Sequence, residues 1–244
     1  MAKRPKISRA TGSMHWDRRA ILLLIVCALA LAGWNWLQQN PQHNPWAPLD
    51  LRDPTGLATE RKLQALRSDP QQCRAVLQRS AIAFTQLEPA GEGACRRDDR
   101  TRLDAYPLSP STPVTTCPVA AAMQIWLDQG VQPAAQELFG QDVENIQHLG
   151  SYSCRRLYGA DEGPWSEHAT ANAIDVAGFV LEDGRHISFL SGWDGEDDGA
   201  DFLRRVRSSA CDVFGTVLSP DYNAAHRDHF HFDQQNRGFG GVCG

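Results

Sequence analysis

The sequence predicts an α+β fold, in which helices pack on one side of a small antiparallel sheet and a single transmembrane helix precedes the domain. Residues 173–181 and 186–190 are rich in strand-forming residues and flank Asp183-Gly184, a strong hairpin signal. Residues 200–217 carry apolar side chains at helical spacing. The run from Asp228 to Asp233 alternates polar and apolar residues, as a half-buried strand does.

The N-terminal residues predict a membrane-associated segment. Residues 1–19 hold six basic residues and one acid, a charge of +5, and residues 20–37 are apolar and carry Trp34 and Trp36. The length of segment 20–37 is near the lower limit for a membrane-spanning helix. The positive charge of the residues before this segment predicts that they lie in the cytoplasm. We therefore expect a single-pass inner-membrane anchor with the C-terminal domain in the periplasm. The alternative is a signal peptide cleaved at Ala30-Leu31-Ala32, which leaves the domain periplasmic or secreted.

Residues 38–60 predict an extended tether between this segment and a folded domain at 61–244. They are polar and contain four prolines, at positions 41, 45, 48 and 54. His43 has no partner in the sequence, so we expect it to be solvated. The chain after residue 19 carries a charge of −10, because the total is −5 and the head is +5. So acidic a domain gives no reason to expect nucleic-acid binding, and the composition does not specify an oligomeric state.

Six cysteines follow the apolar segment, and an even number in an exported domain is typical of disulfides. They are Cys73, Cys95, Cys117, Cys154, Cys211 and Cys243. Many pairings are possible, and the sequence does not choose among them. Our working hypothesis joins neighbours: Cys73 with Cys95, Cys117 with Cys154, and Cys211 with Cys243. Cys27 is then the thiol that stays free.

Several helices are predicted ahead of the sheet. Apolar spacing predicts two helices separated by a turn at Asp69-Pro70, and a third that starts near Cys117-Pro118 with proline in its first turn. A further helical turn at 136–139 precedes a strand near 143–149.

Candidate metal ligands fall in two stretches. His168 and Asp175 lie seven residues apart, and the strand begins just before the aspartate, so a loop can fold the imidazole back over the carboxylate. Further on, His229 and His231 lie two residues apart on a predicted strand, which places both on one face. Two imidazoles and one carboxylate leave the fourth position of a tetrahedral Zn²⁺ open to water, which indicates a zinc hydrolase. The alternative is a set of unrelated surface histidines and an ordinary strand aspartate.

These stretches resemble two related families. Their pattern is similar to that of the LAS group of peptidoglycan peptidases, roughly Ser-x-His-x-x-Gly-x-Ala-x-Asp followed later by His-x-His. More closely, Gly-Ser-Tyr-Ser-Cys-Arg at 150–155, Ser-Glu-His-Ala at 166–169 and Leu-Ser-Pro-Asp-Tyr-Asn-Ala-Ala-His-Arg-Asp-His-Phe-His at 218–231 resemble the bacterial extensin-like protein C-terminal family. The resemblance covers roughly residues 73–243.

The resemblance implies a role for each site residue. Zinc ligands are His168, Asp175 and His231; His229 is the base, His226 lies beside the site or contacts substrate, and Arg155 recognises a substrate carboxylate or carbonyl. For Arg155 the alternative is an ordinary surface arginine. The rival bases Asp228 and Glu167 are expected to point away from the metal. One departure from the pattern is Ala171, which replaces a glycine; if that position needs positive φ, alanine would reshape the loop.

The function implied by the resemblance is a zinc peptidase that cuts peptidoglycan stem or crosslink peptides, of the D,D-endopeptidase or carboxypeptidase type. An alternative of another class is an inactive periplasmic wall-binding or structural module that retains the zinc motif. The intact ligand set with an additional histidine in the position of a base favours the enzyme.

Overall fold

The computed structural model describes residues 15–237 and 241–244, and the chain divides into two units, 1–40 and 41–244. The first unit contains helix α1, His15–Gln39, of which Arg18–Gln39 is long and apolar enough to cross a membrane. Such a helix is consistent with a membrane anchor or a signal sequence. Residues 1–14 of the predicted basic head lie outside the described residues.

The second unit contains the remaining helices and the strands. The helices are α2 (Thr59–Ala65), α3 (Pro70–Arg79), α4 (Cys117–Trp126), α5 (Gln132–Phe139), α6 (Phe189–Gly192) and α7 (Asp198–Cys211). The strands are β1 (Phe84–Gln86), β2 (Thr101–Leu103), β3 (Leu108–Ser109), β4 (Val143–Gly150), β5 (Ala173–Leu181), β6 (His186–Ser188), β7 (Thr216–Leu218), β8 (Phe230–Asp233) and β9 (Val242–Cys243).

The main sheet is mixed and has seven strands among the described residues, so the predicted small antiparallel sheet is wrong in size and in type. Its order is β3-β4-β5-β8-β7-β9, with β6 also paired to β5, while β1 and β2 form a separate antiparallel pair. The inner strands β4, β5, β8 and β7 run antiparallel, as expected. At the two edges, β3 lies parallel to β4 and β9 parallel to β7. These edge strands have two residues each, too few to show a periodicity in the sequence.

Apolar side chains of β5 and β8 pack against helices on one face of the sheet. The Trp126 ring of α4 lies 5.9 Å from Phe179 and 5.0 Å from Phe232, and its Nε1–H donates to the Val206 carbonyl of α7 at 2.8 Å. Because side chains alternate along a strand, Asp175 and His231 point to the opposite face from their neighbours Ile174 and Phe232. The helices thus anchor one face of the sheet, and Asp175 and His231 lie on the other.

The predicted helices of the domain are largely confirmed, with one boundary wrong. Helices α2 and α3 flank Asp69-Pro70, and α4 begins at Cys117 with proline in its first turn. The helix predicted over 200–217 ends at Cys211, and Thr216–Leu218 forms β7 instead. Gly215 lies between α7 and β7, and a Cβ at this position would lie 2.5 Å from the Gln235 carbonyl oxygen. The chain passes too close to its neighbour there for a residue with a side chain.

Residues 41–60 differ from the extended tether that their composition predicts. Leu49 and Leu51 are buried, and Lys62 Nζ donates to the Pro41 carbonyl at 2.7 Å. His43, predicted to be solvated and without a partner, accepts a hydrogen bond from the Leu57 N–H at 3.1 Å. The compact unit therefore begins at Pro41 rather than at residue 61.

Three disulfides link the domain, and two of the three working pairs are wrong. The bridges are Cys73–Cys117, Cys95–Cys154 and Cys211–Cys243, with Cys27 free and exposed. Helix α3 packs against α4, which brings Cys73 to the first residue of α4 instead of to Cys95. The tertiary packing of the helices decides which cysteines pair, because only cysteines brought close together can form a bridge. The order of the cysteines along the sequence does not reveal that packing.

Candidate metal centre

His168 is held in a short 3₁₀ turn, Glu167–Thr170, just before β5. The Ser166 hydroxyl oxygen accepts the His168 backbone N–H at 3.2 Å and caps the turn. The turn ends at Ala171, which has φ 57° and ψ 27° and whose N–H donates to the His168 carbonyl at 3.1 Å. Ala171 thus adopts the positive φ that the sequence comparison raised for this position, and a residue with a Cβ does so at some conformational cost.

Asp175 and His231 face each other across two paired strands, since Asp175 on β5 is in register with His231 on β8. His231 Nδ1 lies 2.9 Å from Asp175 Oδ1, and His168 Nε2 lies 3.1 Å from the same oxygen. The two imidazole nitrogens lie 3.1 Å apart. The structure thus brings together the three residues predicted to bind the metal.

The other ring nitrogens of both histidines have acceptors. His168 Nδ1 lies 3.2 Å from the Ser151 carbonyl oxygen, and His231 Nε2 lies 3.1 Å from Asp233 Oδ2. These outer contacts suit an N–H on the outer nitrogens when the inner nitrogens, which face Asp175, bind a metal ion. Sequence reasoning missed Asp233, although the period of two along β8 places it on the same face as His231.

This donor set fits a divalent cation. Two imidazole nitrogens and a carboxylate oxygen converge within 3.1 Å, an arrangement that a positive charge among them, a proton or a metal ion, stabilises. In a tetrahedral zinc site with bonds of about 2.0 to 2.1 Å, ligand atoms lie roughly 3.3 Å apart. The observed separations are close to that value, and two imidazoles with one carboxylate are common zinc ligands.

The pKa values of the candidate ligands His231 and Asp175 reflect the same preference for positive charge. Burial lowers the pKa of His231, but hydrogen bonds to Asp175 and Asp233 outweigh burial and raise it to about 9. Burial also raises the pKa of Asp175, and hydrogen bonds from His168 and His231 reverse this and hold it well below its usual range. The pocket therefore stabilises a cation, either a proton or a metal ion, at its centre.

His229 lies at the edge of the three-ligand cluster. Its Nε2 is 3.8 Å from Asp175 Oδ1, and its Nδ1 is 2.9 Å from Asp228 Oδ1. β8 begins only at Phe230, so the strand alternation on which the expectation for Asp228 was based does not extend to residue 228. Asp228 instead orients His229 so that Nε2 faces the cluster.

His226 is buried beside His229 and His231, with ring centroids 5.2 and 5.9 Å away. Its Nδ1 lies 2.9 Å from Asn223 Oδ1, which accepts the N–H. Burial lowers the pKa of His226 to about 4, with further lowering from His229 and His231. At neutral pH this imidazole is uncharged and presents Nε2 as an acceptor.

Arg155 and Glu167 differ in how they relate to the site. The Arg155 side chain is exposed, and its carbonyl accepts the Ser166 N–H at 3.2 Å, so its backbone supports the turn that holds His168. No contact between its guanidinium and the clustered histidines occurs in the described part of the chain. Glu167 Oε2 accepts from Arg67 Nη2 at 2.8 Å and Asn172 Nδ2 at 2.5 Å. The Glu167 carboxylate is therefore engaged by these two side chains.

Comparisons with known proteins then identify the family. No curated protein and no solved structure gives a match to the chain. A family model described as Extensin-like protein C-terminus matches residues 71–244, which include β5, β8 and the three candidate metal ligands. The chain belongs to the extensin-like protein C-terminal family.

Proposed function

We propose that the protein is a zinc-dependent peptidase that acts on peptidoglycan stem or crosslink peptides, of the D,D-endopeptidase or carboxypeptidase type. The observation that carries the proposal is the convergence of His168 Nε2, Asp175 Oδ1 and His231 Nδ1 within 3.1 Å, with the outer ring nitrogens held by Ser151 and Asp233. Outer partners of this kind are typical of metal-binding histidines. The resemblance to the LAS peptidases supports the substrate class.

His168, Asp175 and His231 would hold the zinc. When bound, zinc would supply Lewis-acid polarisation of a substrate carbonyl and would lower the pKa of a coordinated water. His229 presents Nε2 toward the same centre while Asp228 holds Nδ1, an arrangement that suits proton transfer from the attacking water to the leaving amine. His226, neutral at pH 7, can accept a hydrogen bond from a substrate N–H, and the exposed Arg155 can bind a substrate carboxylate.

The test is digestion of purified peptidoglycan, with products identified by mass spectrometry. We expect the zinc-loaded protein to release peptide products, and His168→Ala, Asp175→Ala and His231→Ala each to lose stoichiometric zinc and activity, because two remaining protein ligands are an inadequate set. His186→Ala is the matched control, since His186 is an exposed histidine of β6. Full zinc occupancy in one of the three variants would show that its ligand is misassigned. A wild-type protein that binds zinc and cosediments with peptidoglycan but releases no product would be the wall-binding module instead.

We further propose that the C-terminal domain is periplasmic and that α1 anchors it in the inner membrane. The support is the +5 charge of residues 1–19 before the apolar helix. An alkaline phosphatase fused after Gly244 should be active and a fluorescent protein that matures only in the cytoplasm should be dark. The reverse pattern would overturn this orientation. A processed N-terminus near Ala32 in the mature protein would replace the anchor by a cleaved signal sequence and leave the location unchanged.

A further inference from the structure

Arg67 joins two segments of the metal centre. It lies in the 3₁₀ turn Leu66–Ser68 after α2, ahead of the residues that the family model matches. Its Nη1 donates to the Gln234 carbonyl at 3.0 Å, and its Nη2 donates to Glu167 Oε2 at 2.8 Å. Glu167 directly precedes His168, and Gln234 directly follows Asp233, the partner of His231. One guanidinium therefore bridges the turn that holds one ligand and the strand that holds another.

Further hydrogen bonds connect the His168 turn to the end of β8. Asn172 Nδ2 donates to Glu167 Oε2 at 2.5 Å, and the Gln234 N–H donates to the Asn172 carbonyl at 3.2 Å. Asn172 and Gln234 are 1% and 0% exposed, and the Glu167 side chain is 15% exposed. Arg67 is the cation paired with this mostly buried carboxylate.

We propose that Arg67 is a positioning residue for zinc binding, which clamps the His168 turn to the end of β8 and keeps the Glu167 carboxylate turned away from the ligands. The proposal rests on the proposed function, because it concerns the metal affinity of the same site. Its physical basis is the 3.1 Å approach of His168 Nε2 to His231 Nδ1, two ligands that different segments carry. A small slide of the turn against β8 separates these nitrogens, and metal sites lose affinity when the ligand geometry loosens.

The test compares zinc affinity in folded variants of the full chain. Zinc dissociation constants are measured by competition with a chromogenic chelator, and the absorption spectrum of the Co²⁺-substituted protein reports coordination geometry. We expect Arg67→Gln to weaken zinc binding about tenfold or more and to alter the Co²⁺ spectrum. Arg67→Lys should be intermediate, since one ammonium keeps the charge but cannot reproduce the two-pronged contact. Arg205→Gln is the control, because Arg205 pairs with Glu137 on an exposed surface.

A purely structural role for Arg67 would lower the melting temperature and leave zinc affinity and the Co²⁺ spectrum unchanged. A folded Arg67→Gln protein with wild-type affinity and spectrum would therefore overturn the clamp alone. If Arg67→Gln does not fold, Glu167→Gln takes its place, because it keeps the side-chain shape and removes the charge that Arg67 holds. Wild-type affinity and spectrum in that variant would likewise overturn the clamp. A wild-type protein that binds no zinc would overturn both the clamp and the proposed function, which separates the two failures.

Discussion

His229 and His231 approach the same carboxylate oxygen of Asp175 with different ring nitrogens. His231 uses Nδ1 at 2.9 Å, because Asp233 holds its Nε2, whereas His229 presents Nε2 at 3.8 Å, because Asp228 holds its Nδ1. The longer distance separates His229 from the three candidate ligands. A histidine in this position has the reach of a general base.

Replacing His229 by alanine tests that role. We expect His229→Ala to keep one zinc per chain and to lose peptidoglycan cleavage by roughly 10² to 10⁴-fold, the usual contribution of general acid–base catalysis. Zinc is measured by atomic spectrometry and activity by product release, with His186→Ala as the control. Loss of zinc in His229→Ala would make His229 a ligand. Retention of both zinc and full activity would place the base elsewhere.

Ala171 provides a second test at a single residue. It has φ 57° and is fully buried, so Ala171→Val places a β-branched side chain in the left-handed region and overpacks the site. We expect a loss of about 2 to 4 kcal/mol in the free energy of unfolding. Ala171→Gly should change it by less than about 1 kcal/mol, because relief of strain offsets the loss of a buried methyl group.

Urea denaturation at one zinc concentration measures these changes at position 171. The control is Ala160→Val, since Ala160 is exposed and extended and tolerates a β-branched residue. Equal stability of Ala171→Val and Ala160→Val would contradict the conformational constraint at Ala171.

Single residues of the site were predictable where a local pattern specified them. The spacing of His168 and Asp175 and the His-x-His of β8 pointed to candidate ligands, the family resemblance chose His231 rather than His229, and the structure brings His168, Asp175 and His231 together. Asp228 could not be placed, because the start of β8 at Phe230 decides its direction and strand ends are poorly marked in sequence. The link from Arg67 to Glu167, across 100 residues, depends on tertiary packing and has no local signal.

At the scale of elements, the disulfides tie the segments around the site. Cys95–Cys154 joins the turn Gly93–Cys95 to the loop before the His168 turn, over a separation of 59 residues. The chain-entropy model gives about 4 kcal/mol for a loop of this length. We therefore expect the double variant Cys95→Ser with Cys154→Ser to lose about that much stability in urea denaturation.

Cys27→Ser is the matched control, because Cys27 is exposed on α1 and forms no bridge. Peptide mapping without reduction should recover the pairs Cys73–Cys117, Cys95–Cys154 and Cys211–Cys243. Alkylation of any of these six thiols in native protein would count against the predicted oxidation state.

Elements with ten or more residues, or with clear turn chemistry, were predictable, and the shortest were not. Helices α3 and α4 and the hairpin of β5 and β6 follow from caps, prolines and the Asp-Gly turn. The parallel edge strands β3 and β9 pair with segments that lie far from them in the chain. A strand of two residues is too short to show a periodic pattern in the sequence, which is why the sheet was predicted too small.

For the whole molecule, the compact unit from Pro41 contains a segment that composition predicted as free chain. Four prolines and many polar residues between 38 and 60 resemble a linker, but Leu49 and Leu51 are 8% and 1% exposed. The Leu51 N–H donates to Ser80 Oγ at 2.9 Å, and Gln129 Nε2 donates to the Leu51 carbonyl at 3.2 Å. Amino-acid composition describes the average polarity of a segment. Whether the segment packs against the domain depends on a few apolar residues within it, here Leu49 and Leu51.

The boundary at Pro41 predicts how truncated chains will behave. A chain of residues 41–244, made in an oxidising compartment, should fold and bind zinc, whereas a chain of 61–244 should lose about 3 to 6 kcal/mol, from the buried area of two leucines. Leu51→Ala in the longer chain should account for a large part of this loss, and Leu57→Ala should not, because Leu57 is 89% exposed. Urea denaturation compares the four proteins. Equal stability of 41–244 and 61–244 would mean that residues 41–60 are a tether after all, since a packed segment cannot be removed without exposing the surface it covers.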